Sequence, residues 1–184
     1  MDDRKDGELG ILARRKIEAA IIAPIYDEMR KAVGEERARE ILRKAIRRAA
    51  IEAGADIASR AAGGADLESF KAILHLWTKD DALTIEVLAD RPGVFDFNVT
   101  RCRYAETYRA MGLGGIGDIL SCERDGAFCE GYAPGVKLTR TQTIMGGKLV
   151  RFPLSFERRG DVERLKRRRP PQNGLITTLN CGAM

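Results

Sequence analysis

Near residue 80 the chain changes the period at which it places apolar side chains, and no other feature restricts its folds as much. Before that point Leu9, Leu12, Ala13, Ile17, Ala20, Ile21, Ile25, Met29 and Val33 recur at three- and four-residue steps, the spacing of a helix. Pro24 lies inside this stretch and is expected to kink or interrupt it, because it removes a backbone donor, and Gly34 ends it. A second helix is expected from about residue 35 to 53, with Ala38, Ile41, Leu42, Ala45, Ile46 and Ala49 as its buried stripe. Gly63-Gly64 breaks a shorter helical piece. Asp66 is then placed to cap a helix carrying Leu67, Phe70, Ile73, Leu74 and Trp77 on one face.

After that point Leu83, Ile85, Val87 and Ala89 alternate with Thr84, Glu86 and Leu88, as in a half-buried strand. Asp90-Arg91-Pro92-Gly93 is a turn, so residues 94–100 return as the second strand of a hairpin. Two helical stretches follow, at about 101–111 and 116–129, separated by the glycines of Gly112-Leu113-Gly114-Gly115. Strands are expected over 136–143 and 149–156 around a turn at Gly146-Gly147. Helices first, then strands joined mostly by turns, give an α+β plan. N-terminal helices pack on a small antiparallel sheet, with two helices inserted between the strand pairs. One domain is expected over 1–184: a helical part to about 80, a motif-bearing part over about 82–157, and a basic extension from 158.

Composition narrows the function classes. No apolar run approaches the roughly 18 residues that span a bilayer, and the charged start Met1-Asp2-Asp3-Arg4-Lys5-Asp6 has no apolar leader core. A cytoplasmic protein without a membrane partner is expected. The formal net charge is +5. Seven Arg or Lys against Asp161 and Glu163 in Arg158–Arg169 account for all of it. A nucleic-acid binder spreads such charge over a face that tracks phosphates, so no nucleic-acid partner is expected, and the run reads as a solvated helix end or linker. The four cysteines, Cys102, Cys122, Cys129 and Cys181, match no paired metal or redox spacing, and there is one histidine, His75. Thiols in a reducing compartment, no metal and no cofactor follow. Gly112-Leu113-Gly114-Gly115 does not follow a strand and lacks the phosphate-loop lysine. His75, beside apolar neighbours, reads as structural.

Two helical faces could carry chemistry. Cys102, Glu106 and Arg109 fall at i, i+4 and i+7, and Asp118, Cys122, Asp125 and Cys129 at i, i+4, i+7 and i+11. A thiolate is a good nucleophile and a carboxylate can move a proton. A carboxylate alone raises a thiol's pKa, so a cation is needed to expose the thiolate. Arg101, Arg103 and Arg124 are near in sequence, and Cys102 begins its helix, where the dipole favours an anion. Cys102 is therefore expected to be the more reactive thiol. The competing reading of each thiol is a small buried hydrophobe. In the strand Leu138-Thr139-Arg140-Thr141-Gln142-Thr143-Ile144-Met145, Arg140 and Gln142 share a face with Leu138 and Ile144. Such a pair suits a polar cavity, with Arg140 taking a carboxylate and Gln142 an amide or amidine; the other reading is an edge strand in water.

Phe97-Asn98-Val99-Thr100-Arg101-Cys102-Arg103-Tyr104-Ala105-Glu106, Leu120-Ser121-Cys122-Glu123-Arg124-Asp125, and residues 138–145 followed by Gly146 together resemble the L-2-amino-thiazoline-4-carboxylic acid hydrolase family. The likeness covers residues 83–156 well and the helical half in pattern only. It implies a hydrolase of carbon–nitrogen bonds other than peptide bonds. Water adds to the ring carbon of a small carboxylated cyclic amidine, thiazoline or imide-like ring, and the ring opens. It implies roles for Cys102, Cys122, Arg140 and Gln142. Taken with the spacing above, the candidate catalytic residues are Cys102, Cys122, Glu106 and Asp125, and the candidate substrate-binding residues Asn98, Arg101, Arg103, Arg124, Arg140, Thr141 and Gln142. The chain departs from the family at Lys148-Leu149-Val150-Arg151-Phe152, where members commonly carry a Cys-Asp pair, so the ring acted on can differ. The partner is a small-molecule substrate, and a homo-oligomer is left open. The second reading is a non-catalytic binding or sensor domain using the same pocket.

Overall fold

The computed structural model describes residues 9–140, 143–146 and 154–158. Two long helices lead, α1 (Ile11–Val33) and α2 (Glu35–Ala58), followed by the short α3 (Leu67–Ile73) and α4 (His75–Thr78). Strands β1 (Leu83–Arg91) and β2 (Val94–Cys102) come next, then α5 (Arg103–Ala110), a π-helical turn at Asp118–Cys122 running into α6 (Glu123–Tyr132), β3 (Val136–Thr139) and β4 (Leu154–Arg158). The four strands form one antiparallel sheet in the order β1-β2-β4-β3. This is the α+β plan expected, with α5 and α6 inserted between strand pairs. Among the described residues no helix is long and apolar enough to cross a membrane.

The local signals hold where they rest on backbone chemistry. Asp66 caps α3 in a reciprocal box: its side chain accepts from Ser69 N–H at 2.9 Å, and the Ser69 hydroxyl accepts from Asp66 N–H at 2.8 Å. The β1–β2 hairpin turns at Pro92-Gly93, with Gly93 at φ 79°, a conformation in which a Cβ is strained. Pro24, by contrast, does not divide α1, which runs through it. The expected strand over 136–143 is shorter, since β3 ends at Thr139, and Arg140 follows it rather than lying within it. Of the second pair's return strand, the described part is β4. The basic run beyond Arg158 and Cys181 lie outside the described residues.

Helix α2 packs chiefly along α6, and glycine sets how closely. A Cβ on Gly131 would lie 2.0 Å from Ile51 O, and one on Gly54 2.3 Å from Phe128 O. The backbones therefore touch, which only a missing side chain permits. The buried stripe of α2 is Ala38, Leu42, Ile46, Ala50 and Gly54. Ile41 is 39% exposed, and Ala45 and Ala49 face solvent; the true stripe follows strict four-residue steps because α6 fits a narrow groove. Helix α1 differs more, for Ala19 and Tyr26 are its buried residues, while Leu9 preceding it and Ile17, Ile21 and Ile25 within it are each more than half exposed.

The core divides in two. One cluster joins Ala38, Leu42 and Ile46 of α2 to Tyr104, Tyr108, Ile119, Leu120 and Met145. The other joins Leu67 and Phe70 to Phe95, Phe97, Phe128 and Tyr132, packing α3 and α6 on β2.

Candidate active site

Three separated segments meet at one cavity, whose empty space of about 870 Å³ includes solvent at its mouth. The first is the end of β2. Strand alternation sends Phe97 and Val99 to the cavity, and Cys102 closes the strand beside it. The second is the π-turn and α6, which present Ser121, Cys122, Asp125, Phe128 and Cys129. The third is the segment after β3, which brings Arg140, Thr143, Ile144 and Met145. Phe70, Leu74 and Trp77 close the cavity from α3 and α4.

The cavity has two chemically different ends. At one, Phe70, Trp77 and Phe128 form an aromatic wall, with ring centroids 5.9 Å apart for Phe70–Trp77 and 5.0 Å for Trp77–Phe128. At the other, Arg140 Nη2 donates to Asp125 Oδ2 at 3.1 Å, with Thr143 beside Cys122 in the lining. Burial works against the Arg140 charge, but Asp125 and the nearby thiols hold its pKa above the ordinary value. Among the described residues no group of three or more His, Cys, Asp or Glu side chains could hold a metal ion.

The three thiols are not equivalent. Burial, then the charge of Asp125, pushes Cys122 up to about 12, and Cys129 likewise up to about 12. Cys102 is also raised by burial, but the backbone N–H groups of Ala105 and Tyr104 at the start of α5 act against the rise. The two cations expected beside Cys102 are engaged elsewhere. Arg101 forks onto Glu106 at 2.9 and 3.0 Å, and Arg103 donates to Asp80 O at 2.6 Å. All three thiols therefore favour the protonated form at neutral pH.

Of the residues singled out from sequence, Cys102, Cys122, Asp125, Cys129 and Arg140 line this cavity. Arg101, Arg103 and Glu106 are outside its lining. Arg101, by its hydrogen bonds, holds Glu106 below the ordinary carboxylate value in an exposed pair. Cys102 ends a strand instead of starting a turn of helix, so the i, i+4 relation between Cys102 and Glu106 is lost. Arg109 donates to Ile144 O at 2.6 Å, tying α5 to the third segment. Asn98 alternates to the opposite face of β2 from Phe97 and Val99; it is 2% exposed, and its Oδ1 has no hydrogen-bond partner. Arg124 points to α1, where it donates to Glu18 at 2.6 Å. Thr141 and Gln142, like the departure at residues 148–152, lie outside the described residues. Asp118 also leaves the expected face and pairs with Arg39 of α2. The π-turn explains this, since its i→i+5 bonds insert one residue and rotate Asp118 away from Cys122, Asp125 and Cys129.

Sequence reasoning passed over the aromatic wall and Ser121. Phe128 does carry a signal, three residues after Asp125 on the same helix. Phe70 and Trp77 carry none, because they look like any apolar face of a short helix.

Comparison with known proteins adds three findings. The family model described as L-2-amino-thiazoline-4-carboxylic acid hydrolase matches residues 14–150. Among solved structures, the phenol-responsive sensory domain of the transcription activator PoxR with phenol aligns with 83% of this chain and 82% of its own. The identity is 14% and the TM-score 0.46. No curated protein matches the chain.

Proposed function

The chain belongs to the L-2-amino-thiazoline-4-carboxylic acid hydrolase family, and from that premise we propose that it opens a small carboxylated nitrogen-containing ring by adding water at the ring carbon bonded to nitrogen. The observation that carries the reading is the convergence of Cys102, Cys122, Asp125 and Arg140 on one cavity from three separate segments. Arg140, charged and held by Asp125, is the anchor for the substrate carboxylate, because a guanidinium can bond two acceptors at once. Asp125 takes the proton from the attacking water as oxygen bonds to the ring carbon. That proton then goes to the leaving ring atom as its bond to carbon breaks, so water is consumed and one ring bond is lost.

Protonated, buried thiols favour water over a thiolate as nucleophile. Cys102 and Cys122 then serve as the soft wall against which the ring lies. The aromatic end formed by Phe70, Trp77 and Phe128 selects a substrate with an apolar substituent on the ring, since a bare polar ring would leave that wall in contact with water. Cytoplasmic location and the absence of a nucleic-acid partner belong to the same reading.

The test is a series of five-membered cyclic amidines and imides sharing a ring carboxylate and differing in an alkyl or phenyl substituent, assayed for ring opening and for thermal stabilisation of the protein. Turnover that rises with substituent size supports the reading. Stabilisation of the protein without ring opening would favour a binding or sensor domain, and neither effect would remove the reading altogether.

A further inference from the structure

Helix α1 carries apolar residues inward and a second apolar row outward, among exposed charged residues. Inward it presents Ile11, Leu12, Ile22, Tyr26 and Met29 to the core. Outward, Ile17, Ile21 and Ile25 stand 55%, 60% and 53% exposed. Steps of four residues place these three in one ridge, with Pro24 and Ala20 beside it. Isoleucines exposed in a row mark a contact surface, unlike single exposed ones.

The pattern along the ridge identifies what it meets. Arg14, Ile17, Ile21, Ile25 and Glu28 follow one another at three, four, four and three residues. The spacing reads the same in both directions about Ile21. The apolar positions are inside it, and the two charges at its ends are opposite in sign. Laid antiparallel on a copy of itself about a twofold axis at Ile21, the ridge sets Ile17 against Ile25, Ile21 against Ile21, and Arg14 against Glu28 twice over. Self-complementarity of this kind is the requirement of an isologous interface. The 23-residue helix is about 34 Å long, and pairing two such faces removes on the order of 1,000 Å² from water, the threshold of a specific interface.

We propose that the outward face of α1 docks on the same face of a second copy of this chain, giving an antiparallel homodimer centred on Ile21. No residue of the ridge lines the cavity, so the inference is independent of the chemistry proposed above.

Sedimentation equilibrium of the full chain across the micromolar range tests it. Twice the monomer mass is expected, and a monomer throughout overturns the proposal, including the case in which the ridge is covered by the chain's own C-terminal segment or a membrane surface. Ile21→Glu should give a monomer with an unchanged far-ultraviolet circular dichroism spectrum; a dimer that survives this change is held elsewhere. The charges supply a second readout. Arg14→Glu and Glu28→Arg should each dissociate at least tenfold more readily than the parent, whereas mixing these two variants restores a tight heterodimer, because each then faces the opposite sign. Failure of the mixture to pair excludes the antiparallel register.

Discussion

Arg140 Nη2 and Asp125 Oδ2 meet at 3.1 Å across an interval of sequence that includes all of β3. Breaking such a pair in a partly dry cavity leaves one charge without its partner. Asp125→Asn is expected to lower ring opening by about 10³-fold, the scale of a lost general base. Arg140→Lys keeps the charge but loses the planar fork, so its effect should fall mainly on KM. Steady-state kinetics on the purified variants check both, and an Asp125→Asn variant with near-parent kcat excludes the carboxylate as base.

Cys102 should react with iodoacetamide faster than Cys122 or Cys129, because backbone N–H groups at the start of α5 oppose the rise in its pKa. Peptide mapping after partial alkylation ranks the three thiols. Cys102→Ser should cost about tenfold in rate or less. A loss as large as that of Asp125→Asn would show that sulfur, not water, attacks the ring.

Stability should fall as pH rises from about 9 toward 12. Cys122 and Cys129 hold their protons in the folded protein up to about 12, whereas in the unfolded chain they ionise near the ordinary thiol value. Within that window the unfolded state binds fewer protons, so the slope of stability against pH is negative, at most about 1.4 kcal/mol per pH unit for each thiol. Urea melts at stepped pH check the sign, and Cys122→Ser should make the slope shallower.

Gly131→Ala should destabilise the fold by about 3 kcal/mol, the scale of overpacking at a fixed contact, because the new methyl meets the Ile51 carbonyl at 2.0 Å. Gly126→Ala on the same helix is the control, for a Cβ there meets nothing within 4 Å. Chemical denaturation of the two variants separates the crossing from helix propensity.

Periodicity and turn chemistry made the elements legible, and the motif blocks made the cavity's polar end legible. Asp66, Pro92 and Gly93 act through their own backbone, so their neighbours in sequence suffice. Cys122 and Asp125 were found because helical spacing brings them together. What stayed hidden depends on the third dimension. The π-turn moved Asp118 off its expected face, the extension of β2 through Cys102 sent Glu106 outward, and α6 narrowed the stripe of α2. Trp77 and Phe70 gain their meaning only from Phe128, some fifty residues away.

The divided core gives the cavity a mechanical role. Phe70, Phe97 and Phe128 come from one cluster, and Cys102, Cys122 and Met145 from the other, so the unfilled space is a seam between two bodies of packed side chains. An occupant with apolar surface would bridge the seam and merge them into one continuous interior. Loading the site would then tighten the molecule's unfolding into a sharper, more cooperative transition, in which the halves can no longer loosen separately.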